Sequence, residues 1–293
     1  METKAAVKLN STTNGWSVSS AAKRWALWIF LIIIAAMTLF PIVMALLGSF
    51  KSNAELTAGA TILPDVWHFK NYAEVWQQAH FSTYTWNSLY VSILTTVGTL
   101  IVASMAAYAV DRLNYVGKSV YVALQAATMF ISIGAVVLRP QFELMVKLQL
   151  HTSLTGVILI LVSGHAYIFF ILLSFVKAIP RELDEAAMID GCSKVWIFTR
   201  IIFPLLKPGL GVAALFTFRN AWNEYILPLV FTMSQPKLQT LTVGLAGLRY
   251  GIASAAQTHY MMAGACLSIL PLLIVYVLAN KTFMQVTSGS VKG

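Results

Sequence analysis

Five stretches of this sequence run for about twenty residues or more without a charged side chain, and nothing else constrains its fold as strongly. They cover residues 25–47, 87–110, 119–138, 154–176 and 251–279. A helix of about 20 residues spans the ~30 Å hydrocarbon layer of a bilayer. A sixth apolar run, 208–233, is interrupted by Arg219 and Glu224. Only 11% of the chain is charged and 58% is hydrophobic, far from the balance of a soluble domain. The expected fold is an all-α polytopic membrane protein with six transmembrane helices.

Basic residues orient these spans. Thirteen of the twenty Lys and Arg fall on one side: Lys4, Lys8, Lys23 and Arg24 before the first run, Arg112 and Lys118 after the second, five over 177–207, then Lys281 and Lys292. That excess marks the cytoplasmic face and puts both termini there. It accounts for most of the net charge of +9 without nucleic acid. The expected divisions are a cytoplasmic segment 1–24, a first span 25–48, a periplasmic loop 49–86, a five-helix core 87–281 containing a cytoplasmic loop 177–208, and a cytoplasmic tail 282–293. The first run is too long for the apolar part of a signal peptide, and no clear cleavage site follows it, so it reads as a retained anchor.

Several chemistries are missing. "GKS" at 117–119 lacks the earlier glycine of a phosphate-binding loop, because Arg112 stands at that place. The five histidines have no metal-ligand spacing, and Cys192 and Cys266 suggest no structural disulfide. No nucleophile motif, catalytic residue or metal set is present, so the chain reads as a non-enzyme. An ion-driven carrier usually has ionisable residues in several spans and repeat symmetry. Here one span holds charge. The energy source is expected to be a partner.

The segment 180–209, PRELDEAAMIDGCSKVWIFTRIIFPLLKPG, carries four of the eleven acids. Pro180 suits the start of a helix, and Glu182, Asp184 and Glu185 fall where the helix dipole favours negative charge. Gly191 suits a left-handed cap, and a second short helix is expected over 193–203, ending at Pro204. Two readings stand: a hairpin lying on lipid headgroups, or a helix docked in a protein groove. A lipid-lying hairpin would present a basic polar face. The acids and the small residues Ala186 and Ala187 favour the groove.

These residues also resemble a known family. Glu185-Ala186-Ala187, three residues, Gly191, nine residues, Ile201, one residue, Phe203-Pro204 is similar to the "EAA" loop of ABC-importer permeases, with Phe203 where leucine is usual. FKNYAEVW at 69–76, NSL at 87–89, AAYAVDRLNYVGK at 106–118, AWNEYILPL at 221–229 and the tail SGSVKG at 288–293 resemble the second maltose-permease type of carbohydrate importers. The resemblance covers about residues 65–293. It implies the type I importer-permease fold in a bacterial inner membrane. It also implies a related sister permease, two ATPase subunits that bind ATP and Mg, and a free or lipid-anchored sugar-binding protein. The solute would be an oligosaccharide. Glu185, Ala186, Ala187, Gly191 and Pro204 would then form the ATPase-coupling loop, and the tail would lie near the ATPase contact.

Arg219, Asn220, Trp222, Asn223, Glu224 and Tyr225 are the candidate solute-pathway residues. An Arg near mid-membrane costs about 2.5–3.5 kcal/mol on the mild insertion scale and usually faces a cavity. It either grips a carboxylate on an acidic sugar, such as a uronate oligosaccharide of the alginate kind, or pairs with an acid on the sister subunit or with Asn223. The alternatives to carbohydrate import are an ABC permease for another solute and an ion-driven carrier.

Overall fold

The computed structural model describes residues 20–59, 61–78, 80–130, 134–250 and 257–289. Every regular element among them is helical. The chain divides into two compact units, 1–45 and 46–293.

In the first unit, helix α1 (Ser20–Gly48) begins, carrying Pro41 inside it. From Lys23 to Val43 every residue is exposed. Such an apolar helix with no polar face has the character of a membrane span.

The second unit opens with a loop segment that carries α2 (Asn53–Ala58) and α3 (Lys70–Gln78). Lys51 is buried; its ammonium donates to the Thr61 hydroxyl at 2.6 Å and lies 3.5 Å from Glu55. The Asn71 amide donates to the Ser49 and Lys51 carbonyls at 2.8 and 2.9 Å. Phe50, Trp67, Phe69 and Tyr72 cluster around this knot. The FKNYAEVW stretch therefore closes a loop on itself.

Helix α4 (Phe81–Arg112) is the central element, packed against the later helices Leu154–Ser163, Ala166–Ala178 and Lys207–Asn223. Its buried residues include Ser88, Ser92, Thr95, Thr99, Ala103 and Ala107, small side chains that let other backbones approach. Next come α5 (Lys118–Phe130), a 3₁₀ turn over Gly134–Val137, and α6 (Leu138–Lys147). The pair α7 (Leu154–Ser163) and α8 (Ala166–Ala178) is bent by 50° at Gly164–His165. After α9 (Glu182–Ile189) come α10 (Lys194–Ile197), a π turn Phe198–Ile202 and α11 (Phe203–Leu205). A 77° bend then leads into α12 (Lys207–Asn223). Gly209 sits at that bend, where a Cβ would lie 2.6 Å from the Phe175 ring. Helix α13 (Ile226–Thr232), a 3₁₀ turn Pro236–Leu238, α14 (Leu241–Tyr250) and α15 (Thr258–Gly289) complete the chain.

The NSL stretch has a plain structural task. The Asn87 amide donates to the carbonyls of Lys237 and Gln239, both at 2.9 Å, and the Ser88 hydroxyl accepts from Leu241 N–H at 2.8 Å. Both hold the turn after α13 onto α4.

Against six expected spans, three described helices are long and apolar enough alone: Lys23–Gly48, Phe81–Arg112 and Thr258–Val277. Counting each bent pair as one span brings the number to five. The run at 119–138 forms the 13-residue α5, and residues 131–133 within it lie outside the described residues. The run at 208–233 is broken between α12 and α13, where Glu224 is extended.

Candidate functional site

The acid-rich hairpin has an inner and an outer side, and different acids serve each. Asp184, only 6% exposed, points inward: its carboxylate lies 3.1 Å from Arg112 Nε at the end of α4. The Tyr108 hydroxyl also donates to it, at 3.4 Å. Arg112 in turn pairs with Asp111 at 2.9 Å and donates to the Ile179 carbonyl at 2.6 Å, beyond the last turn of α8. Arg181 adds a bond to the Asp111 carbonyl at 3.2 Å and an ion pair with its carboxylate at 3.5 Å. Buried charges persist when paired and hydrogen-bonded; here every charge is paired, and Asp184 takes its hydrogen bond from Tyr108 while Arg112 Nε and Asp184 Oδ2 meet as an ion pair without hydrogen-bond geometry. It ties the start of α9 to the ends of α4 and α8.

Ala187 is buried against the same core, with Ile197, Ile202 and Leu206. Ala186, its neighbour, is exposed. The outer side carries Glu185, Ala186, Met188, Ile189, Val195 and Trp196, none covered by the chain, with Ile189 87% exposed. Gly191 ends α9 at φ +80°, the left-handed region. Its N–H donates to the Met188 carbonyl, and Cys192 N–H donates to that of Ala187, the paired bonds of a Schellman cap. Ser193 caps the following helix through Trp196 N–H. That helix continues through Pro204 to Leu205 rather than stopping before it, because proline fits the first turn of α11.

The second group of candidates spreads over the end of α12 and the break after it. Arg219, Asn220, Asn223 and Tyr225 are exposed and Glu224 is half-buried. Trp222 is separated from them: it is buried and stacked on Phe218 with ring centroids 5.8 Å apart, which makes it a core residue. Asn223 does not pair with the Arg219 guanidinium; its amide donates to the Arg219 main-chain carbonyl at 2.8 Å. Among the described residues, Arg219 is in none of the ion pairs within 4.0 Å. Glu224 accepts from Ile226 and Leu227 N–H at 3.1 and 3.2 Å, capping α13. Its carbonyl accepts from Thr242 at 2.7 Å. Asn220 and Glu224 also border a cleft of about 450 Å³ reaching to Thr95 and Thr99 of α4.

Sequence reasoning missed Asp184, Arg112 and Asp111 as a unit. It read the first for its effect on the helix dipole and the second for membrane orientation. The tail residues 290–293 lie outside the described residues, as do the side chains from 278 onward.

Comparison with known proteins gives this geometry a family. The family described as "Binding-protein-dependent transport system inner membrane component" matches residues 13–284. The arabinooligosaccharides transport system permease protein AraQ of Bacillus subtilis (strain 168) is 33% identical over 277 residues, 92% of this chain and 96% of that protein. The trehalose/maltose transport system permease protein MalG of Thermococcus litoralis is 32% identical, covering 92% and 98%. A crystal structure of a bacterial ABC transporter involved in the import of the acidic polysaccharide alginate contains a chain of the same fold, with a TM-score of 0.76 and 24% identity over 90% of this chain and 98% of that one. Permease subunits of this family conduct solute and carry out no chemistry of their own. The chain belongs to the inner-membrane permease components of the binding-protein-dependent ABC importers, in the company of AraQ and MalG.

Proposed function

We propose that this chain forms half of the translocation pathway of an oligosaccharide importer, paired with a related sister permease and driven by two ATPase subunits that bind ATP and Mg. An external sugar-binding protein, free or lipid-anchored, delivers the solute. The observation that carries this reading is the two-sided hairpin at α9–α10. Its inner side is fixed by the Arg112–Asp184 pair, and its outer side presents Glu185 beside uncovered Ala186, Met188, Ile189 and Trp196. An apolar patch with a fixed acid suits a protein groove better than an anionic lipid surface. A hairpin tied to α4 and α8 transmits movement of that groove to the spans, and a few kcal/mol of differential binding is sufficient to shift a two-state assembly.

Six spans complete the reading: α1, α4, α5 with the segment after it, α7–α8, α12–α13 and α15. The loop 49–86 is assigned to the outside, and both termini, the hairpin and the tail to the cytoplasmic side of the bacterial inner membrane, following the basic residues. Carbohydrate as solute is supported by the names of the relatives, which print arabinooligosaccharides and trehalose/maltose. Arg219, Asn220, Asn223, Glu224 and Tyr225 form the strip facing the pathway or the sister subunit. Arg219, uncovered and unpaired with any described acid, favours a second reading in which part of the solute is anionic.

The test is uptake by the whole importer reconstituted in liposomes. Glu185→Lys is expected to abolish ATP-driven uptake while the protein remains in the membrane; normal uptake refutes the docking role. Arg219→Ala is expected to reduce uptake of an acidic solute far more than assembly. Collapse of the complex assigns Arg219 to a pair with the sister subunit.

A further inference from the structure

We infer that the cleft bounded by α4, α6, α8 and α12 is a subsite for one uncharged sugar ring, held through its hydroxyl groups. The inference rests on the reading of this chain as a pathway subunit and adds a site and a ligand class to it. The cleft is about 450 Å³, within the range of small-molecule sites. Its polar wall includes Thr95, Thr99, Gln141, Asn220 and Glu224, with Thr217 already bonded to its own helix, and the rest is largely aliphatic. A sugar ring has this same division, hydroxyls around its rim and C–H groups on its faces.

Two observations point to a ligand. Thr95 and Thr99 are each 2% exposed, and neither hydroxyl has a hydrogen-bond partner among the described residues. Three other buried helical threonines return their hydroxyl to the carbonyl four residues back: Thr96 to Ser92 at 2.6 Å, Thr217 to Ala213 at 2.8 Å, Thr232 to Pro228 at 2.6 Å. Thr95 and Thr99 do not, and while Thr85 and Ser92 of α4 also lack a partner, only Thr95 and Thr99 of the four stand at the wall of the cleft, a single turn apart on one face. A threonine in a helix has two accessible rotamers, so its hydroxyl can swing to an incoming partner. A buried hydroxyl left unpaired is penalised, and a solute hydroxyl removes that penalty.

The charge of the wall selects the ligand. Among the described residues no Lys or Arg lines the cleft, and the one carboxylate there, Glu224, already caps α13. A carboxylate entering here would meet an acid and no cation. The ring in this subsite is therefore neutral, whatever Arg219 meets elsewhere on the strip.

Thr95→Val and Thr99→Val replace each hydroxyl by a methyl group of similar size, and Thr99→Ser retains the hydroxyl. The assay is the KM of uptake of neutral and uronate oligosaccharides by the reconstituted importer, with thermal unfolding of each variant complex. Either Val variant is expected to raise the KM for a neutral oligosaccharide about tenfold, the loss of one good hydrogen bond. Unfolding temperatures should be unchanged or higher, and Thr99→Ser should stay near wild type. Neutral uptake with unchanged KM in both Val variants overturns the subsite and leaves the importer reading standing. Uptake of uronates alone overturns the neutral ring while leaving an importer. No sugar uptake by the wild-type complex overturns both.

Discussion

Replacing Asp184 by alanine should undock the start of α9 from the ends of α4 and α8. Removing one member of a buried ion pair typically costs about 3–5 kcal/mol, mostly because the other charge is left unmatched. Here Arg112 keeps Asp111 at 2.9 Å and the Ile179 carbonyl at 2.6 Å, so the lower end of that range applies. A loss of about 3 kcal/mol raises the population of locally opened hairpin by about a hundredfold. Amide hydrogen exchange across Glu182–Ile189 reads this directly, and should accelerate by about that factor while the middle of α4 is unaffected. Glu185→Gln, on the uncovered side, should leave exchange in the isolated subunit unchanged. Reversing the pair, with Asp184→Arg and Arg112→Asp together, should recover part of the protection. If Asp184→Ala exchanges like wild type, or Glu185→Gln accelerates equally, the division of the hairpin into a pinned and a free side is wrong.

Other consequences concern single contacts. Gly191→Ala places a side chain at φ +80°, where space is open but the backbone is strained; a loss of about 1–2 kcal/mol is expected by chemical unfolding in mild detergent. Asn87→Ala leaves the Lys237 and Gln239 carbonyls without their donor, and should cost about 1–3 kcal/mol and expose the turn after α13 to protease. Partial burial raises the pKa of Glu55, but the Asp65 N–H, Lys51 and the Thr61 hydroxyl together outweigh it and hold the carboxyl below its ordinary 4.5. Its contribution to the loop is complete above that value and is lost as the pH falls through the lowered one. Trp67 fluorescence in a variant with other loop tryptophans replaced should be flat from neutral pH to about 5 and change only in stronger acid.

The long uncharged runs made α1, α4 and α15 legible, because a span needs little beyond length and apolarity. Gly191 and the acids of α9 were legible because caps and dipoles are local. What stayed hidden was pairing at a distance. Arg112 and Asp184 are separated by α5 through α8, and nothing near either one names the other. Arg112, counted as a basic residue at a span end, is buried among carboxylates and carbonyls. Trp222, grouped with the candidate pathway residues, stacks on Phe218, one turn back on its own helix. The 50° bend at Gly164–His165 also escaped the apolar pattern, since hydropathy records what a segment avoids and not where its axis turns. One signal was available and unused: Thr85, Ser88, Ser92, Thr95 and Thr99 recur at alternating spacings of three and four along α4. That spacing puts their hydroxyls on one face.

The account depends most on the outer side of the hairpin being the seat of an ATPase. The direct measurement is purification of this chain from its native membrane in mild detergent, comparing wild type with Glu185→Lys, followed by identification of co-purifying subunits and assay of ATP hydrolysis. The account predicts that wild type brings down a second permease and an ATPase in fixed ratio, and that Glu185→Lys keeps the permease and loses the ATPase or its coupling. A chain that purifies alone and carries solute in liposomes without ATP would contradict it.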